Sequence, residues 1–414
     1  MGRNAMPGVF GSGQSVSRDG DFSTKMLRRI QRLKLLAENI SLEGMHTSAR
    51  KMGTLLLVLS LVSGALPAQS ADVHTAALNR DPLVQQGFQQ FYNLDYDGSL
   101  QTFQRVLQAH PSDPLAVDYV LSVVIFRELY REDLLDTTLY AHEGFLTGKH
   151  LTQEDFAVKA QVEDLSNQAI NLADQRIKSS PNDVDALFSR GMAKSLRATY
   201  VGLVERGFIS GLRLALSARS DDEKVLQIDP KYIDAKMVVG IHLFVVGTLP
   251  GPLRLMAGMA GIHGDKAKGL ALLEECAQHG VITSVESRTT MTIFLRHEAR
   301  YQEAIKVAQS LKAQYPRDYL FALEVANLLK DSGNGPGAIR EYRAVLEQAK
   351  KPGYYYSVHA ELAWFGLAET LRGQNDKVGA MAAYRQAESL PTTGADLKRR
   401  ASEGIRELQN EGVK

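Results

Sequence analysis

The sequence predicts an all-α fold, a solenoid of about seven helix hairpins with elaborated middle repeats and a capping helix at its C-terminal end. Three observations predict it. Between Tyr319 and Leu390 one two-helix pattern is written twice, first as Ala338, Tyr342, Val345 and Leu346, then as Trp364, Leu367, Leu371, Ala380, Tyr384 and Ala387. From Asp81 onward helical periodicity recurs without any strand-like alternation. Prolines that cannot continue a helix stand at 111, 181, 230, 316, 352 and 391, where they read as stops between hairpins.

Each element follows from these marks. Gly87, Tyr96, Ser99, Phe103, Val106, Leu107 and Pro111 compose a first hairpin, with Ser99 in the position where a small residue lets two helices approach. The 70 residues from Pro111 to Pro181 span about two periods of roughly 34 residues, so a degenerate repeat is expected there: helices over 115–130 and 132–145, and a third opening at Thr152. Pro181 to Pro230 exceeds one period, which places an extended second helix at 200–226. Pro230 to Pro316 exceeds two, and the surplus falls at 248–264, where Pro250 and Pro252 divide an apolar stretch into two short helices. The last two intervals, 36 and 39 residues, are nearly regular, and 395–409 is polar, as a solvated cap should be.

A large residue with a Leu or Gly in the first helix, a small residue where the second helix approaches, and a closing aromatic and alanine resemble the tetratricopeptide repeat (TPR). Trp364 and Leu367 stand where that family has its signature Trp and Leu. Membership would imply stacked hairpins with a concave groove, a non-enzymatic role, and a protein or peptide held in that groove. A second resemblance covers about 25 residues: Leu249-Pro250, Arg254-Leu255, Gly261, Gly264-Asp265-Lys266 and Gly269-Leu270 look like a segment of the eukaryotic TPR proteins associated with the mitochondrial outer membrane and inclusion clearance. Those relatives are regarded as adaptors.

Charge and targeting divide the chain. Of its 48 basic residues nine, and of its 47 acidic residues four, lie in 1–70, which leaves 39 and 43 for the remainder. A slightly acidic body offers no basic face for nucleic acid. Arg50 and Lys51, the apolar run 53–66 and Ala68-Gln69-Ser70 read as a secretory signal, so 45–70 is expected to be removed and the protein to be periplasmic or secreted. The alternative is membrane association through an uncleaved N-terminal segment. Residues 1–44 read as a disordered or spurious extension, with the true start at Met45 or Met52. Beyond it, 71–230 is expected to carry degenerate repeats, 231–280 a repeat with an apolar hairpin insertion, and 281–414 regular repeats and the cap.

No catalytic or metal-binding constellation emerges. His297-Glu298 lacks the second His of a zinc helix, the 261–266 stretch lacks the first Gly of a phosphate loop, and the glycines of 333–337 fit a tight turn. Lone Cys276 excludes a disulfide within the chain and reads as a small buried residue. No cofactor is implied. In TPR geometry the groove-facing positions would be Glu286, Thr289, Ile293 and Arg296, then Leu320, Leu323, Asn327 and Lys330, then Leu362, Phe365, Glu369 and Arg372. Arg296, Asn327, Lys330, Phe365, Glu369 and Arg372 are the expected partner-binding residues, with the three cations forming an unmatched wall for an anionic group. Leu323 stands where a carboxylate-clamp TPR has Lys. The 249–264 hairpin is expected either to fill the solenoid interior or to touch a membrane or apolar partner.

Overall fold

Aspartate opens half of the described α-helices of this protein. In the computed structural model, which describes residues 72–141, 154–249, 251–259, 261–356 and 358–413, side-chain carboxylates of Asp81, Asp95, Asp113, Asp155, Asp183, Asp265, Asp318 and Asp376 accept backbone N–H groups of the first turn that follows. Each satisfies donors that have no partner within the helix.

The helices are α1 (Pro82–Phe91), α2 (Tyr96–Ala109), α3 (Pro114–Arg131), α4 (Phe156–Ser179), α5 (Val184–Leu203), α6 (Phe208–Ile228), α7 (Lys236–Thr248), α8 (Gly251–Met259), α9 (Lys266–His279), α10 (Ser284–His297), α11 (Tyr301–Gln314), α12 (Tyr319–Asp331), α13 (Gly335–Ala349), α14 (Ala360–Gly373), α15 (Lys377–Ser389) and α16 (Ala395–Asn410). They pair as seven hairpins: α1 with α2, α3 with α4, α5 with α6, α7 with α9, then α10 with α11, α12 with α13, and α14 with α15. Helix α16 packs on α15 and buries Ala401, Gly404, Ile405 and Leu408 on one side.

Small residues govern the spacing. Ser99, Ala338 and Ala380 are fully buried in their slots, and the Ser99 hydroxyl donates to the Gly87 carbonyl at 2.9 Å. A Cβ on Gly366 would stand 2.5 Å from the Tyr342 ring, and one on Gly404 2.6 Å from the Tyr384 ring, so each aromatic closes its hairpin against the next helix only because that helix has no side chain there. Gly333 turns the chain between α12 and α13 with φ of 81°, and Asn334 caps α13, as the tight-turn reading requires.

Three expectations about the middle repeats are corrected. No helix spans 132–141: a left-handed Asp133 (φ 57°) ends α3, and a 3-10 turn over Thr137–Ala141 follows, so among the described residues the 70-residue interval holds one hairpin, and 142–145 of the expected helix lie outside them. Helix α4 starts from Asp155, whose carboxylate caps both Ala157 and Val158. The extended helix over 200–226 is two helices, because left-handed Arg206 (φ 59°) breaks the chain between α5 and α6. Residues 1–44 and the export signal at 45–70 lie outside the described residues. Among the described residues no helix is long and apolar enough to cross a membrane.

The solenoid turns far enough for early repeats to meet late ones. His74 pairs its backbone with Lys231 and Ile233, both at 2.9 Å. Asp234, fully buried, accepts from the N–H groups of Val281, Ile282 and Thr283 and from the Thr283 hydroxyl on one oxygen, and from Thr75 and Asn79 on the other. Farther along, the Tyr92 ring lies 5.3 Å from Tyr315, and Tyr130 packs on both Tyr319 and His359. The concave side is thereby enclosed.

Candidate functional site

The enclosed side is an apolar cavity of about 880 Å³, inside the range of roughly 300–1,000 Å³ typical of small-molecule sites. Its wall is assembled from Phe88 and Phe91 of α1, Phe126 of α3, Met192 of α5, Ile241 of α7 and Ile293 of α10. With Leu212 of α6 these come from six helices, and none could make the site alone.

Hydroxyls on the wall bond back to their own helices. Ser122 donates to the Asp118 carbonyl, Thr199 to Ser195, Thr289 to Val285 and Thr292 to Thr289, all between 2.7 and 3.0 Å. Few polar atoms therefore face the cavity in search of a partner. Those that do are buried ionisable groups: both oxygens of Asp222, Nε2 of His242 and Oε2 of Glu286 have no hydrogen-bond partner among the described residues. Burial suppresses their charges. It lifts the Asp222 carboxyl well above its ordinary value, brings Glu286 up to about 7, and, with help from Arg219, lowers His242 to about 4. At neutral pH His242 is thus a neutral base, and burial disfavours the charged form of Asp222.

Of the eight groove-facing positions expected on α10 and α12, six lie on the cavity wall and two, Arg296 and Lys330, do not. Glu286, Thr289 and Ile293 of α10 and Leu320, Leu323 and Asn327 of α12 all line the cavity. Leu362, Phe365, Glu369 and Arg372 do not, because the solenoid closes before reaching α14. The premise of an unmatched cationic wall is corrected. Arg296 is only 6% exposed, pairs with Glu324 at 3.2 Å and Asp331 at 3.1 Å, and donates to the Thr137 hydroxyl at 3.2 Å. Lys330 lies 4.0 Å from Asp331, and Arg372 bonds Glu407 at 2.6 Å with Glu411 at 3.6 Å. Asn327 accepts from Tyr342 at 2.6 Å, Glu369 accepts from Tyr384, and Phe365 lies edge-on to Tyr384 beneath the Arg400 guanidinium. Five of the six are thus held by contacts within the chain, and none offers a free charge.

The hairpin region proves divided. Helix α7 supplies wall residues, and its Phe244 stacks on Phe294 of α10 at 4.0 Å. Helix α8 touches the cavity only through Ala257 among its described side chains, and leaves Leu255 67% and Met259 76% exposed. Sequence reasoning missed the aromatic share of the wall. Phe88, Phe91, Tyr92 and Phe126 lie off the repeat's slot positions, and that departure was the available signal.

Two other clusters are structural. His359 sits against Asp133 and 3.6 Å from buried Glu361; burial opposes its protonation, but the two carboxylates prevail and its pKa ends raised. An imidazolium there ties the end of α3 to the start of α14. Cys276 is buried beside Thr283, and burial takes its thiol up to about 12, which leaves it inert.

No family model matches this chain, and no curated protein does. Solved structures do. A tetratricopeptide repeat protein from Parabacteroides merdae ATCC 43184 is similar at 14% identity, with 79% of this chain and 98% of that one covered and a TM-score of 0.34. The APC/C hetero-tetramer Cut9–Hcn1 is similar at 13% identity and TM-score 0.45, covering 78% of this chain and 49% of that one. Yeast Tom70 is similar at 11% identity and TM-score 0.27, with 80% and 95% covered.

Glu286 binds its proton more tightly in the folded state than in the unfolded one, so its contribution to stability falls as pH rises from about 4.5 through about 7. Glu286→Gln removes that loss, and its melting temperature relative to the parent is expected to rise between pH 5 and pH 8, by the equivalent of about 2–3 kcal/mol at 1.36 kcal/mol per unit. A pH-independent difference would place the titration elsewhere.

Arg296→Ala is expected to destabilise the protein by about 3–5 kcal/mol, because Glu324 stays buried without its counter-charge. Arg372→Ala, whose partners are on the surface, should shift the denaturation midpoint little. Equal shifts would contradict the different burial of the two arginines. By the packing of its own slots and hairpins, this chain has the tetratricopeptide-type fold, an all-α solenoid of paired helices.

Proposed function

We propose that this chain is an exported, non-catalytic binding scaffold that holds an apolar ligand inside its turn. The cavity of about 880 Å³ supports this, since its wall is largely carbon and its hydroxyls are engaged with the protein. A groove built for an extended peptide would offer partners to the peptide's backbone N–H and C=O groups, each of which costs free energy when buried unpaired. Here such partners are few, and the cationic residues expected to hold a peptide are engaged with neighbouring acids.

The hairpin expected as an alternative contact borders the same cavity through Leu249, Ala257 and Ile262. Groove and hairpin are therefore two sides of one site. Nothing in the wall sets a nucleophile beside a base, and the unpartnered Asp222 and His242 are an acid and a base whose shifted pKa values follow from burial.

Binding is tested with N-phenyl-1-naphthylamine, an uncharged dye that brightens in apolar surroundings. The parent should bind it saturably, and Ile241→Trp and Ile293→Trp, which extend the wall into the cavity, should weaken binding at least about tenfold, the effect of 1.4 kcal/mol. Undiminished binding by both folded variants would place the dye elsewhere and end this reading. Export rests on the basic flank, apolar run and small residues of 45–70, and N-terminal sequencing of the protein from its native host should begin near Ala71. A start upstream of Met45 would remove it.

A further inference from the structure

The cavity has an unusual mouth. Phe208 and Leu212 of α6 and Val245 of α7 border it while remaining exposed, and the same helices and α8 also expose Ile209, Leu255 and Met259. Apolar side chains on α6 and α7 thus reach from the cavity rim to the outside. Single exposed apolar residues are ordinary, but a contiguous group continuing into a cavity is a contact surface.

The charges on this mouth have one sign. Residues 202–217 and 237–264 contain Arg206, Arg213 and Arg254, and their sole acid is Glu205, which lies 3.7 Å from Lys159. Arg213 is exposed and has no ion-pair partner among the described residues. Arg254 is also exposed, and its guanidinium reaches only a backbone carbonyl, that of Gly247 at 3.4 Å. Arg296 and Arg372, by contrast, sit against acids. Arginines beside exposed Leu, Phe and Met are the composition of a surface that settles at an anionic bilayer.

We infer that the ligand is an acyl chain of an anionic phospholipid, taken from a bilayer on which the α6–α8 mouth docks, with Arg213 and Arg254 facing the headgroup. This rests on the cavity being the binding site. An acyl chain fits the wall because it brings no hydrogen-bonding groups inside, whereas its charged headgroup must stay at the mouth.

Vesicle flotation tests the inference. The full chain should float with vesicles of phosphatidylcholine containing phosphatidylglycerol and not with phosphatidylcholine alone, and it should carry a fluorescent acyl-labelled phosphatidylglycerol from donor to acceptor vesicles. Arg213→Gln with Arg254→Gln should lower vesicle affinity roughly thirtyfold, since each basic residue near an anionic surface is worth about fivefold. Leu255→Ser with Met259→Ser should abolish transfer. Both double variants should bind the uncharged dye as the parent does, because neither alters the cavity wall. Dye binding without vesicle binding would overturn the bilayer inference and leave the cavity reading standing; failure of dye binding would remove both. Binding of free oleate in solution without flotation would overturn bilayer docking.

Discussion

One carboxylate holds the turn of this solenoid. Asp234 sits fully buried between α6 and α7, and its two oxygens accept six hydrogen bonds, from Thr75 and Asn79 near the start of the described chain and from residues 281–283 between α9 and α10. A charge taken out of water costs several kcal/mol unless its lone pairs are satisfied, and here they are. Three segments distant in sequence are thereby held to one geometry. The curvature that encloses the cavity follows from it.

Enclosure also explains where the cations went. In an open groove Arg296 would face solvent and any anion that arrived. Once the turn after α3 folds against α12, Arg296 is covered, and a covered guanidinium requires acids, which Glu324 and Asp331 provide. The inner surface that remains is the hydrocarbon of the first helices. One closure therefore removes a charged groove and creates an apolar one.

The hairpin architecture was legible because it is local. Slot alanines, closing tyrosines and proline stops act within one or two helices, so Ala338, Tyr342, Ala380 and Tyr384 marked their hairpins directly. The register of α10 and α12 was legible for the same reason, and Glu286, Thr289, Ile293 and Leu323 do line the interior. Helix ends set by left-handed residues escaped notice, since Asp133 and Arg206 are not residue types that announce φ near 60°. The cavity escaped notice for a deeper reason. It depends on contacts such as Tyr92 with Tyr315 and Asp234 with Thr75, which join residues more than 150 positions apart and leave no periodic trace.

Repeat arrays ordinarily grow and fray one unit at a time, because each unit touches only its neighbours. The ties at Asp234 break that independence. A ribosome emits Thr75 more than two hundred residues before Thr283, so the first hairpin must wait, with Phe88, Phe91 and Tyr92 uncovered, until the fifth arrives. Its apolar face is then open to other chains for that interval, as in any fold of long sequence separation. The same ties make the finished molecule cooperative: α1 cannot peel away without exposing the carboxylate of Asp234, and a solenoid that would otherwise melt from its ends is made to come apart as a whole.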